Sequence, residues 1–423
     1  MIYRNPDNAI GLVILLVFST NIVQHISCYT VDEANQLETD LFTTYHKNVL
    51  PDNPVTVQVE YNLLTLNSVD IKSQTISTSG WFTVVWTDSR LAWNESSDID
   101  HIYTTEFEVW NPTLIVENSV NDLTSLSDDN TQVRIRYDGQ LRWEPSAILT
   151  TSCDMDITYF PFDIQSCDIH LASWGFHTDA VFLTFNKTYV NLNDYTTNGE
   201  WALISTSQHV SEITEEGLTF RILTFRIVVE RLSGHYIMSV IFPVILTAIL
   251  TVVTFLLPIE SGEKVGYILT VLLALAVLLT LFADSMPTTS KHTSIFVVFL
   301  SVTLGLAAIV IIFSILIIRL HHQPEDYSVP RWMHRMVHLC RKCKCKEVDV
   351  RPLTSDCNME VHTSQRSAEH SLNNNKCLDK VNKVQKYSIQ EIAQFCDSFF
   401  FIVFGIIYIL VVIGFTITLI VAQ

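Results

Sequence analysis

Four segments of this 423-residue chain, 236–257, 265–284, 293–318 and 398–421, carry no charged side chain apart from Asp284 at the end of the second. Each is long enough to cross about 30 Å of hydrocarbon as a helix, the one single-segment fold that satisfies its own backbone hydrogen bonds in lipid. The chain is therefore expected to pass a membrane four times. Disorder throughout is excluded by 11% aromatic residues and only 12 Gly and 12 Pro.

Charge sets the expected orientation. The formal net charge is −18, which argues against nucleic acid as a partner. Residues 29–235 hold 30 Asp and Glu against 10 Lys and Arg, whereas 319–397 hold 13 basic residues against 10 acidic. Arg319, Arg331, Arg335, Arg341, Lys342, Lys344 and Lys346 follow the third span, which places that loop in the cytosol and both termini outside. Arg4 and the short apolar run Ala9–Phe18 read as a signal peptide, cut near residue 27, with an uncleaved anchor as the alternative. The expected organisation is a signal peptide (1–27), an extracellular domain (28–235), three spans (236–318), a cytoplasmic loop (319–397) and a fourth span (398–421).

The extracellular part is rich in short runs of Val, Ile, Thr and aromatic residues. The clearest are Thr56–Leu66, Ser79–Trp86, Val133–Trp143, Ser166–Ala172 and Leu218–Glu230. Turn signals such as Asp138-Gly139 and Asn198-Gly199 separate them, and only Val31–Leu50 has a helical period. An antiparallel, immunoglobulin-like β-sandwich led by one helix follows. Asn94-Glu-Ser and Asn186-Lys-Thr are glycosylation acceptors. Cys153 and Cys167 are the two cysteines well inside this domain, and an oxidising route would pair them; their loop is worth about 3 kcal/mol on a chain-entropy basis. Cys340, Cys343, Cys345, Cys357 and Cys377 fall in the cytosolic loop; with His334 and His338 they read either as a zinc site or as palmitoylation targets without metal. Pro330–Leu339 has the spacing of a helix lying on the inner membrane face.

The stretch Cys153-Asp-Met-Asp-Ile-Thr-Tyr-Phe-Pro-Phe-Asp-Ile-Gln-Ser-Cys167 resembles the signature loop of the Cys-loop pentameric ligand-gated channels. Trp81, Trp86-Thr-Asp, Trp93-Asn, Trp110-x-Pro112, Ser173-Trp174 and Ser261-Gly-Glu-Lys264 recur in the family's order, and the chain is most similar to nicotinic acetylcholine receptor subunits. The resemblance implies a pentamer of this chain with four further subunits, same or different, gated by a small cationic neurotransmitter, acetylcholine or an amine.

Helical steps of three and four from Glu263 collect Glu263, Gly266, Thr270, Leu273, Val277, Thr280 and Asp284 on one face. The two acids stand about 32 Å apart along the axis, at opposite edges of the hydrocarbon. Taken alone, that is either an ordinary span with polar ends or, around a cyclic axis, two acidic rings flanking a hydrophobic constriction at Leu273 and Val277. The family favours the second. Its anion-passing members carry an inserted Pro and an Ala where this chain reads Gly262-Glu263-Lys264, so the resemblance implies passage of Na+ and K+, with Ca2+ left open. Lys264 lies about 100° from the stripe.

For the ligand, the resemblance implies Trp174 and Phe220 on a principal face and Trp81 on the complementary face of the neighbour, an aromatic cage for a cation. Glu117 stands where the family has a Tyr, Thr113 where it has an Asp, and Glu215-Glu216 where acetylcholine-binding alpha subunits have two adjacent cysteines. Those acids either attract a cationic ligand or are solvated surface. For coupling to the pore, the resemblance implies Phe160, Pro161, Phe162 and Asp163 of the Cys loop, Arg231 and Pro287. The acid expected to pair with the Arg is displaced by Ile71, leaving Asp70 as a substitute, with Asp163 also in reach.

No nucleotide loop, metalloprotease signature or nucleophile elbow occurs, so neither an enzyme nor a cofactor is expected. A secondary transporter is disfavoured by spans without paired charges. The reading is a multi-pass plasma-membrane subunit at the postsynaptic surface, forming a cation-selective, neurotransmitter-gated channel. The alternative is an accessory subunit that lends only its complementary face and pore helix to heteromers.

Overall fold

The structure is a computed structural model that describes residues 29–94, 99–121, 123, 125–126, 130–286, 293–324, 333, 337 and 388–421. The expected signal peptide, Pro287, the cysteines from 340 to 377, His334, His338 and all of 330–339 except Met333 and Val337 lie outside the described residues. The chain divides into two compact units, residues 1–156 with 163–232, and residues 157–162 with 233–423.

The first unit opens with helix α1 (Val31–Phe42). Thr30 and Glu33 close a capping box at its start, each side chain accepting from the other residue's backbone N–H. The helix stops short of the expected Leu50. Thr39 and Thr43 turn their hydroxyls back onto carbonyls four residues earlier, and Tyr45 leaves the helical path to donate to Asp88 Oδ2 at 2.9 Å.

Eleven strands follow: β1 (Val55–Asp70), β2 (Thr75–Thr87), β3 (His101–Thr105), β4 (Leu114–Val116), β5 (Gln132–Arg136), β6 (Gln140–Trp143), β7 (Ser146–Ser152), β8 (Ile164–Ser173), β9 (Val181–Phe185), β10 (Trp201–Glu215) and β11 (Leu218–Arg231). One sheet runs β3-β5-β6-β2-β1-β9 with β7 also on β2; the other runs β10-β11-β8-β4. One pairing departs from the antiparallel expectation. β9 arrives from the opposite sheet and lies parallel to β1, Val55 opposite Val181.

Between the sheets, Tyr61 and Phe82 of one meet Phe225 of the other, with ring centroids 4.8–5.9 Å apart. Trp86, Trp143 and Trp201 are fully buried, so these indoles belong to the core rather than to a site. Cys153 and Cys167 are joined by a disulfide.

Among the described residues, the second unit holds four helices apolar enough to cross a membrane: α2 (Gly234–Leu256), α3 (Lys264–Ser285), α4 (Ile295–His321) and α5 (Ile389–Val421). In α2 a widened turn at Ile237–Ile241 precedes Pro243, which lacks the N–H and the space to continue a regular ladder. α5 begins at Ile389 rather than at the start of the uncharged run, because Asp397 is inside the helix with a buried partner. Phe255, Phe313, Phe400 and Phe404 interlock α2, α4 and α5. Ile249, Ile312 and Leu410 point outward, as lipid-facing side chains would.

Candidate ligand face, coupling elements and pore helix

Trp174 directly follows β8, and its surroundings fix it from below. Its backbone N–H donates to Thr113 O at 2.9 Å, and the buried Ser173 Oγ donates to Pro112 O at 2.5 Å. Thr113 is held at φ 46° by an Asn111 side chain that accepts its N–H. The indole of Trp174 is 62% exposed, unlike the core tryptophans. Phe220 is half-buried on β11, opposite the exposed Ile213 of β10. The hairpin closes between Glu215 and Leu218 through Glu216 and Gly217, at φ 53° and 86°, the left-handed pair that a two-residue hairpin turn demands. Glycine accepts that geometry freely; Glu216 does not.

Glu117 continues from β4, its N–H donating to His170 O at 2.9 Å. Partial burial pushes its carboxyl above the usual carboxylate range, His170 opposes that, and the negative field of Glu215 adds to it. Glu117 and Glu215 are therefore in electrostatic reach of each other. His170 Nδ1 is 3.0 Å from Thr224 Oγ1, and Arg226 forks onto Asp168 at 2.8 Å, holding that carboxyl below its ordinary value.

Trp81 lies on the other sheet, in the middle of β2, half-buried. Its neighbour Gly80 lets two strands close up: a Cβ there would stand 2.3 Å from Asn62 O. Asn62 Nδ2 donates to Trp81 O at 3.3 Å and to Thr83 Oγ1 at 3.1 Å. Trp81 shares a surface depression with Leu64, Ser146 and Ile148, and Ile148 is exposed. Sequence reading missed Ile148 and Ile213; strand alternation that leaves an isoleucine outward was the available signal. Asn94 and Asn186 are both exposed, and Asn186 Nδ2 donates to Glu60 Oε2 at 3.2 Å.

Of the residues expected to couple ligand to pore, Phe160 and Pro161 are buried in the second unit. The Phe160 ring meets Tyr236 at 5.1 Å and Phe282 of α3 at 5.3 Å, and Ile295 N donates to Thr158 O at 3.0 Å. Phe162 is half-buried. In the first unit Arg231 Nε donates to Asp163 Oδ1 at 2.7 Å and Nη2 to Oδ2 at 3.1 Å, with both side chains 1% exposed. Glu200 is the outer partner at 3.6 Å, and the Trp201 ring lies 4.1 Å beneath the guanidinium.

Asp70 does not substitute in this pair. It caps the β1–β2 turn, accepting from Lys72 N at 2.8 Å and Ser73 N at 3.2 Å; the Ser73 side chain first, then these amides, hold its carboxyl below the ordinary range. A carboxylate already satisfied by two turn amides has no reason to reach for a distant arginine.

On α3, Glu263, Gly266, Thr270, Leu273, Val277, Thr280 and Asp284 are all exposed, whereas Lys264, Ile268, Val271, Leu275 and Phe282 are buried. The stripe faces away from α2, α4 and α5. Lys264 Nζ donates to Asp397 Oδ1 at 2.5 Å. Sequence reading missed Asp397, whose signal was a single acid at the edge of an apolar span.

The chain is similar to known proteins over both units. The model of the neurotransmitter-gated ion-channel ligand binding domain matches residues 34–233, and that of the neurotransmitter-gated ion-channel transmembrane region matches 240–398. The neuronal acetylcholine receptor subunit alpha-3 of Carassius auratus is 30% identical over 76% of this chain and 64% of its own length. The alpha-3 subunit of Bos taurus is 30% identical over 72% and 63%, and the alpha-6 subunit of Rattus norvegicus 31% identical over 71% and 63%. The chain thus spans less than two thirds of the length of these curated relatives. With both domain models matched in order, the chain belongs to the neurotransmitter-gated ion-channel family, on the branch similar to nicotinic acetylcholine receptor subunits.

Proposed function

We propose that this chain is a subunit of a cation-selective channel in the plasma membrane, with the sandwich and both termini outside and α3 lining the pore. The observation that carries the reading is the face of α3. A stripe carrying two acids and two hydroxyls is exposed, with Leu269 and Leu281 exposed beside it, while Ile268, Val271, Leu275 and Phe282 pack inward. Around a five-fold axis the two acids at the edges of the hydrocarbon attract Na+ and K+, and Leu273 and Val277 form a gate that closes by dewetting. The sandwich's charge, roughly −100 over five copies, concentrates cations at the mouth within a Debye length.

The ligand site of this reading joins Trp174 and Phe220 of one subunit to Trp81 of the next, for acetylcholine or another amine at a postsynaptic membrane. Asp163 and Arg231, with Phe160, Pro161 and Phe162, relay its occupancy to α3. Glu117 and Ile213 favour a second reading, in which this subunit supplies its Trp81 face and pore helix to heteromers while a partner supplies the agonist-binding principal face.

Recordings from cells expressing the chain alone, and with an alpha-type subunit, separate the two readings. A panel of choline esters and biogenic amines evoking current from the single chain supports the first. Current only in the mixture, abolished by W81A, supports the second. Reversal at the chloride potential would overturn cation selectivity in either.

A further inference from the structure

Lys264 opens α3, and its position is unfavourable for a cation twice over. Its side chain is fully buried, and the amino end of a helix carries partial positive charge. Asp397 of α5 offsets both, accepting the ammonium at 2.5 Å, and the Phe255 ring stands 5.7 Å away. One residue before Lys264, the exposed Glu263 ends the acidic stripe. An ion pair drawn from two segments far apart in the chain thus stands directly behind the carboxylate that faces the proposed pore.

Resting on the reading of that stripe as pore-lining, we infer that Asp397 sets the ion selectivity and conductance of the pore from a helix that does not line it. Neutralised by Asp397, Lys264 leaves Glu263 to act on permeant ions as an uncompensated anion. Without Asp397, five ammonium groups stand about one helix diameter, ~10 Å, from the axis. At water-like dielectric and one Debye length of screening, they lower the occupancy of a monovalent cation there about fourfold. The charge belongs at this buried place because Lys264 also ties α3 to α5, and Asp397 supplies the packing without the electrostatic penalty.

The test uses the full chain carrying L273S, whose hydroxyl wets the constriction so that the pore conducts without agonist. Its current in a sodium chloride gradient, alone and co-expressed with an alpha-type subunit, examines the pore reading separately: absence of current in both from protein shown at the surface, or reversal at the chloride potential, overturns that reading. Given cation current, D397N is expected to lower unitary sodium conductance about fourfold and to move the reversal potential toward that of chloride. K264Q/D397N, with no buried charge left, is expected to restore the background values. Unitary conductance does not depend on how many channels reach the surface, so weaker folding does not mimic this pattern. An unchanged conductance in D397N, or an equal loss in the double variant, overturns the inference. Where D397N does not reach the membrane, K264Q alone decides: it leaves a carboxylate behind Glu263 and is expected to raise conductance, and a fall overturns the inference.

Discussion

The pair of Asp163 and Arg231 offers the sharpest stability prediction. D163N keeps the size of the side chain and removes its charge. The Arg231 guanidinium, 1% exposed, would then lose its charged partner at 2.7 and 3.1 Å, while Glu200 at 3.6 Å is half-exposed. Gln165, which donates to Asp163 Oδ2 at 2.6 Å, would face an amide instead of a carboxylate. Removing one member of a buried pair destabilises by about 3–5 kcal/mol. For a sandwich of roughly 200 residues, that corresponds to a melting point lower by about 8–16 °C, taking ~4 kcal/mol and 2–4 °C per kcal/mol. Replacing both charges by apolar groups of similar volume, D163L/R231M, leaves no orphaned ion and is expected to recover at least half of the loss. Intrinsic fluorescence of the purified full chain reads this directly, since Trp201 lies 4.1 Å under the guanidinium. A D163N melting point within 2 °C of the parent, ~0.5–1 kcal/mol at most, would refute the assignment of a buried, mutually dependent pair.

Three further outcomes follow from local geometry. G80A would drive a methyl group into Asn62 O, 2.3 Å away on the adjoining strand, so a loss of about 1–3 kcal/mol and reduced surface expression are expected; an unchanged melting point would show that β1 and β2 can separate freely. E216N places a residue tolerant of left-handed backbone in the hairpin turn and is expected to gain about 0.5–1 kcal/mol, checked by the same thermal melt. Glu117 has a raised folded-state pKa, from burial first, so its contribution is fully present below the unfolded carboxyl pKa and is lost as pH rises through the folded value. E117Q should therefore match the parent near pH 4 and exceed it in melting point at pH 7, and a difference of the opposite sign would refute the assigned environment.

Much of the architecture is legible in one dimension because its physical causes are local. A run of uncharged residues as long as a bilayer is thick has one outcome in lipid, and alternation with Val, Thr and aromatics has one usual outcome in water. The stripe on α3 could be written down from helical steps alone, and all seven of its residues are exposed. The pairing of Cys153 with Cys167 followed from their being the two cysteines well inside the extracellular domain, on an oxidising route.

What tertiary structure alone decided concerns partners. Composition does not sort eight tryptophans, of which the resemblance set aside Trp81 and Trp174 for the ligand; Trp86, Trp143 and Trp201 are buried in the core, whereas Trp174 stands exposed at the end of β8. That difference lies in which face of which sheet each strand presents. Asp70 stood as the substitute partner for Arg231, with Asp163 also in reach, until the β1–β2 turn satisfied the first and left the second. Asp397 looked like the charged boundary of a span and is instead inside the helix, balancing Lys264 from 133 residues away. A charge announces its need for a partner in the sequence, because burial without one is unfavourable wherever it occurs. Which residue answers is fixed only when the chain has folded, because distance in space between segments is not written in their separation along the chain.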